Sequence, residues 1–189
     1  MPNGSEELIE RIASANVTTG YIRNDDGGDK YSSYLEANVH VDEVFAVFKQ
    51  LALSLMPDIA APIIGLKDEE PTFGPYTSRE AALEVLEQHS ELLANDGFLE
   101  FGITYQHSGR VEEIFVKSSK YLQIWTNQPD SAANVFYEAG IPAVATLEFI
   151  DEYPMVSKSI NRRGDAASPA VLEAVKSAFE TLPVAVPDQ

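Results

Sequence analysis

Three features are absent or scarce in the chain: it has no cysteine, only 13 basic residues and no long apolar run. Without cysteine there can be no disulfide bond, no thiolate metal ligand and no cysteine nucleophile. The apolar stretches at 51–56 and 59–66 are broken by Pro57 and Pro62 and are far too short to span a bilayer. The N-terminus has neither the basic start nor the apolar run of a secretory signal. We therefore expect a soluble, cytoplasmic protein.

The scarcity of bases leaves a large negative charge. Thirty acidic side chains against 13 basic ones give a formal net charge of −17 over 189 residues. Such a surface repels nucleic acid and anionic membranes and attracts cationic partners. The basic cluster of Lys158, Arg162 and Arg163 is expected to pair with carboxylates of the chain itself. The charge predicts a basic protein partner, with no nucleic acid and no membrane, and indicates no oligomeric state.

Composition and length are those of one globular domain. Hydrophobic residues make up 44% of the chain, enough to build a core at this length. No internal repeat or linker divides the sequence. We expect a single domain over 1–189, with a flexible acidic turn near 24–30 and a frayed C-terminal tail after about 182.

Periodicity predicts an α+β fold. Helical patterns are found at 5–15, 43–56, 79–94, 129–139 and 168–182, and strand patterns at 17–23, 34–41, 59–66, 98–106, 111–117, 121–126 and 143–150. Pro62 predicts an edge or irregular position for the strand at 59–66. The three strands between about 98 and 126 read as a central β-meander. The prediction is a mixed, largely antiparallel sheet with helices packed mainly on one face.

No motif for catalysis, cofactor or metal binding is present. The glycines form no phosphate-binding loop. His40, His89 and His107 are far apart in sequence, and the acids Asp25, Asp26 and Asp29 do not alternate as calcium ligands do. The sequence predicts no catalytic residue, no cofactor and no metal site.

The meander offers a candidate partner-binding surface instead. If its larger apolar residues face the core, pleating sends Glu100, Glu113, Phe115, Tyr121 and Trp125 to the opposite face. Residues 121–156 contain no lysine or arginine, so acidity is concentrated there. The residues predicted to contact a partner are Glu100, Glu113, Phe115, Tyr121, Trp125, Glu148, Asp151, Glu152 and Tyr153. Aromatic rings among carboxylates can stack on and pair with arginine or lysine.

Other interpretations of the same residues remain open. A helix could cover this face and make Phe115 and Trp125 core residues. Alternatively, Glu100, Glu113 and Glu148 could line the pocket of a small hydrolase-like enzyme or ligand-binding domain, or the acidity could provide only solubility.

The leading hypothesis is a non-enzymatic binding protein with a basic protein partner. Small, acidic, cysteine-free α+β proteins of this kind resemble the bacterial immunity proteins. That resemblance is one of general type, without a shared motif, and it implies an inhibitor that masks the cationic active site of a toxin.

Overall fold

The computed structural model describes residues 4–155, 157 and 168–186. Its strands are β1 (Gly20–Asn24), β2 (Ser33–Asn38), β3 (Ile59–Leu66), β4 (Thr72–Phe73), β5 (Thr77–Ser78), β6 (Leu99–His107), β7 (Arg110–Val116) and β8 (Tyr121–Thr126). They form one sheet in the order β1-β2-β8-β7-β6-β3-β4, with β5 paired to β3. Every pairing between these strands is antiparallel. The α+β fold and the central meander are therefore confirmed.

The helices lie mainly on one face of the sheet. They are α1 (Gly4–Ala13), α2 (Val44–Leu55), α3 (Arg79–Glu87), α4 (Ser90–Asn95), α5 (Pro129–Glu138) and α6 (Ser168–Glu180), with a 3-10 turn at Ile150–Glu152. Apolar side chains of α2 to α6 share one core cluster with alternate residues of the strands. Phe48 of α2 meets Phe101 of β6 edge to face, with ring centroids 5.0 Å apart. We call this helix-covered side the core face and the opposite side the second face.

The strand at 59–66 was expected to be an edge or an irregular strand, and the edge position is wrong. β3 is an internal strand that pairs with β6 along six residues and with β4 and β5 on its other side. Pro62 is tolerated because its carbonyl accepts a hydrogen bond from the Gly74 N–H, 2.8 Å away. In a strand, the N–H of a residue points to the same side as its carbonyl. The donor that proline lacks therefore falls on the β4 side, where pairing is short, and the β6 ladder stays complete.

The predicted strand at 143–150 does not form. Its only β contact is a single parallel bridge between Tyr21 and Ala143. From there the segment leaves the edge of β1 and crosses one end of the second face. The predicted helix at 79–94 is also divided in two. The α-helical hydrogen bonds are interrupted at His89, whose N–H donates to the Leu86 carbonyl three residues back.

The acidic turn is tied to the rest of the fold. Arg23 lies 2.6 Å from Asp25 and 2.7 Å from Asp130, and the Ser33 hydroxyl donates to Asp25. The hydrogen bond from Arg23, and to a smaller extent that from Ser33, holds the pKa of Asp25 below its usual value. At the other end of the chain, the Ala185 N–H donates to the Tyr76 carbonyl. Flexibility of the turn and fraying of the tail remain predictions.

None of the described helices is both long enough and apolar enough to cross a membrane.

Candidate functional site

Strand register sorts the side chains of the second face into three rows across the sheet. Row one reads Tyr34, Trp125, Glu113 and Thr104 on β2, β8, β7 and β6. Row two reads Glu36, Gln123, Phe115 and Gly102, and row three brings Asn38 next to Tyr121. Lys117 and Glu100 continue row three, where their charged groups lie 3.0 Å apart. Glu113 and Trp125 therefore lie on the same face, as alternation predicted, and the register of β7 and β8 makes them direct neighbours.

The segment after α5 covers the Asn38 and Tyr121 end of row three. The Phe149 ring lies on Tyr121, with centroids 4.5 Å apart. Asn38 donates its side-chain N–H to the Glu148 carbonyl at 2.8 Å, and Ser119 contacts Asp151 at 3.4 Å. Tyr121 is consequently only 9% exposed. Burial, and secondarily the charge of Asp151, raises the pKa of its hydroxyl. Tyr121 therefore serves mainly as a packing residue beneath this segment.

Glu148 and Tyr153 bind each other within the covering segment. The Tyr153 hydroxyl and the Asn16 N–H both donate to one carboxylate oxygen of Glu148. The Tyr153 hydrogen bond is the larger cause that lowers the pKa of Glu148, and the same bond raises the pKa of Tyr153. Asp151 and Glu152 remain exposed at the rim. The Asp151 and Glu152 carboxylates, which accept from Ser119 and from the Phe149 N–H, thus face solvent, while Glu148 and Tyr153 bind each other.

Glu100 and Phe115 are also engaged within the protein. Glu100 is 4% exposed, accepts a hydrogen bond from the Ser118 N–H at 3.1 Å and pairs with Lys117. Phe115 is 8% exposed, and the Lys117 ammonium lies 5.4 Å from its ring centroid. The side chains of these two predicted site residues are therefore buried and make their contacts within the chain.

The remaining part of the face is partly exposed and combines aromatic rings with carboxylates. It consists of Tyr34, Glu36, Glu113, Gln123 and Trp125, which we call the open patch. The Tyr34 and Trp125 rings are 5.1 Å apart and tilted by 39°. Tyr34 donates to Glu36 at 2.7 Å and accepts from Gln123 at 2.7 Å. Because all five residues stand on neighbouring strands, the backbone fixes their relative positions.

Glu113 is a partly buried carboxyl group of the open patch. Partial burial beside Trp125 raises the pKa of its carboxyl group, and the nearby Thr104 and Gln106 side chains oppose the shift. Burial makes the ionised form of a carboxyl group less favourable, because it loses water, unless a nearby cation offsets that loss. A cation close to the Glu113 carboxylate would offset this cost.

We expect Glu113→Gln to stabilise the protein at neutral pH. The folded-state pKa lies above the unfolded one, so the stability that Glu113 contributes is present at acid pH and is lost as pH rises through its titration. The amide removes this loss, and the gain at pH 7 should be at most about 1 kcal/mol because the group keeps contact with solvent. Urea unfolding at several pH values measures it, with exposed Glu138→Gln as the control. A constant difference between wild type and Glu113→Gln down to acid pH would contradict the assignment.

Sequence reasoning missed Tyr34 and Glu36. The alternation of β2 was visible, but its neighbour in the sheet was not. Gln123 and Tyr34, which hydrogen-bond in the patch, are 89 residues apart in the chain. The useful signal was the alternating pattern of 34–41, once β2 is known to pair with β8.

Three grooves of the described structure lie away from these carboxylates. One, of about 510 Å³, runs between β4 and the end of α6 and is lined by Phe73, Pro75, Phe179 and Val184 among others. Two more lie between α2 and α5, around Gln50, Val135 and Glu138. None of the three is lined by Glu100, Glu113, Glu148 or a histidine.

Within the described ranges, no three histidine or acidic residues are placed to hold a metal ion. The basic cluster of Lys158, Arg162 and Arg163 lies outside the described residues.

No family model, curated protein or solved structure matches the chain.

Proposed function

We propose that this chain is a non-enzymatic binding protein whose open patch contacts a basic protein partner, in the manner of an immunity-type inhibitor. The observation that carries the proposal is Trp125, partly exposed on a rigid sheet, with Tyr34 on one neighbouring strand and Glu113 on the other. A large aromatic residue held among carboxylates is a typical anchor for a cationic surface.

Charge supports a basic partner. The net charge is −17, and the sequence from Tyr121 through Val156 contains no lysine or arginine. Asp151 and Glu152 place further exposed carboxylates on the segment that borders the patch. A field of one sign accelerates the encounter with an oppositely charged protein and weakens as salt screens it.

Shape supports a macromolecular partner. The patch is one face of an antiparallel sheet, and its side chains point outward from three adjacent strands. Small ligands are normally held in concave sites that bury most of their surface. An open face with a central aromatic residue instead fits a protein interface, in which a few anchors supply most of the binding energy.

Charge-matched variants test the proposal. Partners are captured from the native host with the wild type and with two double variants. Glu36→Gln/Glu113→Gln changes the open patch, and Glu84→Gln/Glu138→Gln is the control with the same change in net charge on the helix layer. The association rate of the captured partner is then measured. We expect a drop of roughly tenfold or more between about 50 and 500 mM salt. The patch variant should lose at least about tenfold in affinity, since it removes two contact charges. Equal losses in both double variants would show that only total charge matters and would refute the patch.

A further inference from the structure

The open patch has the geometry of a receptor for a flat cation. Neighbouring strands are about 4.8 Å apart, so Tyr34 and Glu113 flank the Trp125 indole on either side. We propose, building on the proposed function, that the partner inserts an arginine here, with its guanidinium stacked on Trp125 and paired with the Glu113 carboxylate. Glu36 on β2 then lies on the opposite side of β8 from Glu113.

The aromatic part of the site is already arranged for stacking. The Tyr34 ring supports the Trp125 ring at a centroid distance of 5.1 Å and a tilt of 39°. The Tyr34 hydroxyl is fixed in turn by hydrogen bonds with Glu36 and Gln123. Tryptophan is the best aromatic platform for a cation, and a ring that is already oriented loses little entropy when the cation binds.

The acidic part of the site matches the donors of a guanidinium. Tyr34 and Gln123 both donate to Oε1 of Glu36, at 2.7 and 3.4 Å. Among the described residues, no donor hydrogen-bonds to Oε2, so that oxygen can accept from a ligand. Glu113 lies directly beside the indole in the same row. A planar fork of N–H donors can therefore reach a carboxylate while its face stays on the ring.

The partial burial of the site favours arginine over lysine. An ammonium is a compact, strongly hydrated charge that must lose water to approach Glu113, whereas a guanidinium is weakly hydrated and offers a flat face to the indole. Both side chains carry the same charge, so long-range attraction does not distinguish them. The distinction comes from contact at Trp125.

The single tryptophan makes the test direct, because all indole emission comes from Trp125. Hexa-arginine and hexa-lysine peptides are titrated into the protein at low ionic strength while Trp125 emission is followed and binding is measured by calorimetry. We expect hexa-arginine to bind about fivefold more tightly than hexa-lysine and to change the emission more. Trp125→Leu, or Trp125→Phe if the leucine variant folds poorly, should reduce this ratio, with calorimetry as the readout. Glu113→Gln should weaken hexa-arginine binding more than the charge-matched Glu84→Gln.

The failures of this inference and of the proposed function give different results. If both peptides change Trp125 emission, bind equally and depend on Glu113, the patch binds cations without selecting arginine, and only this inference is wrong. If neither peptide changes the emission and Glu113→Gln binds them as Glu84→Gln does, the patch is not a cation-binding surface. That second result overturns the proposed function as well.

Discussion

Replacement of Gly102 with alanine should lower the free energy of unfolding by about 3 kcal/mol, at the upper end of the cost of overpacking. Gly102 lies in β6, between Ile63 of β3 and Phe115 of β7. A Cβ atom there would lie 2.5 Å from the Ile114 carbonyl oxygen and 3.0 Å from the Phe115 ring. The nearer obstacle is main chain of a paired strand, which cannot move without disturbing the ladder in the middle of the sheet.

A second glycine of the same face provides the control. At Gly65 of β3, the nearest atom to an added Cβ is the Pro71 Cβ, at 3.2 Å. Gly65→Ala should therefore cost less than about 1 kcal/mol, since small shifts and the lower entropy of the unfolded chain offset the contact. Urea unfolding of both variants measures the difference. Adding Phe115→Leu to Gly102→Ala should recover only a small part of the loss. Full recovery would show that the ring, and not the carbonyl, is the obstacle.

Stability should also depend on Lys120 at alkaline pH. This lysine adopts a left-handed backbone conformation in the turn before β8, with φ of 64°. Its ammonium donates to the Leu93 carbonyl at 2.8 Å and the Leu99 carbonyl at 2.7 Å, which joins the end of α4 to the start of β6. Burial lowers the pKa of Lys120 to about 8, although Asp96 and Glu100 lie close enough to oppose the shift.

The sign of the pH effect follows from that lowered pKa. Between pH 8 and the usual lysine value, the unfolded chain holds a proton that the folded chain has lost, so the contribution of Lys120 to stability rises with pH. From pH 8 to 10 the wild type should gain about 2 kcal/mol relative to Lys120→Met. Methionine is unbranched, is one atom shorter than lysine and keeps the Cβ atom in the same turn, so backbone strain is unchanged. Parallel pH profiles of the two proteins in urea unfolding would show that the Lys120 ammonium is well solvated.

Local pattern was sufficient for much of the fold. The meander was predictable because the alternation in β6, β7 and β8 is strong and short turns join these strands. The strand predicted at 143–150 failed for the opposite reason. Its apolar residues favour extended backbone, but a strand needs a partner along its length, and only Ala143 meets one, at Tyr21. Extended propensity is local, whereas pairing is decided by the rest of the fold.

The candidate site was predictable to the same extent. Glu113 and Trp125 belong to adjacent strands of the meander, so alternation alone placed them together. The burial of Glu100 depends on Lys117 and Ser118, and that of Tyr121 depends on Phe149. Neither contact has a sequence signal. Tyr34 and Glu36 join the patch only because β2 pairs with β8, and pairing between distant segments cannot be derived from a single sequence.

The segment after α5 also divides the second face into positions where substitutions are constrained by folding and positions where they are tolerated. Tyr121 packs beneath it against Phe149, and Glu100 is bound next to it by Lys117 and Ser118, so substitutions at both positions are constrained by folding. Beyond it, the open-patch residues 34, 36, 113, 123 and 125 lie on well-paired strands and support little else. These positions could diverge between lineages, or be randomised in a library, while the scaffold stays intact. If the patch binds a protein as proposed, a change of partner would require only a handful of substitutions on the same sheet.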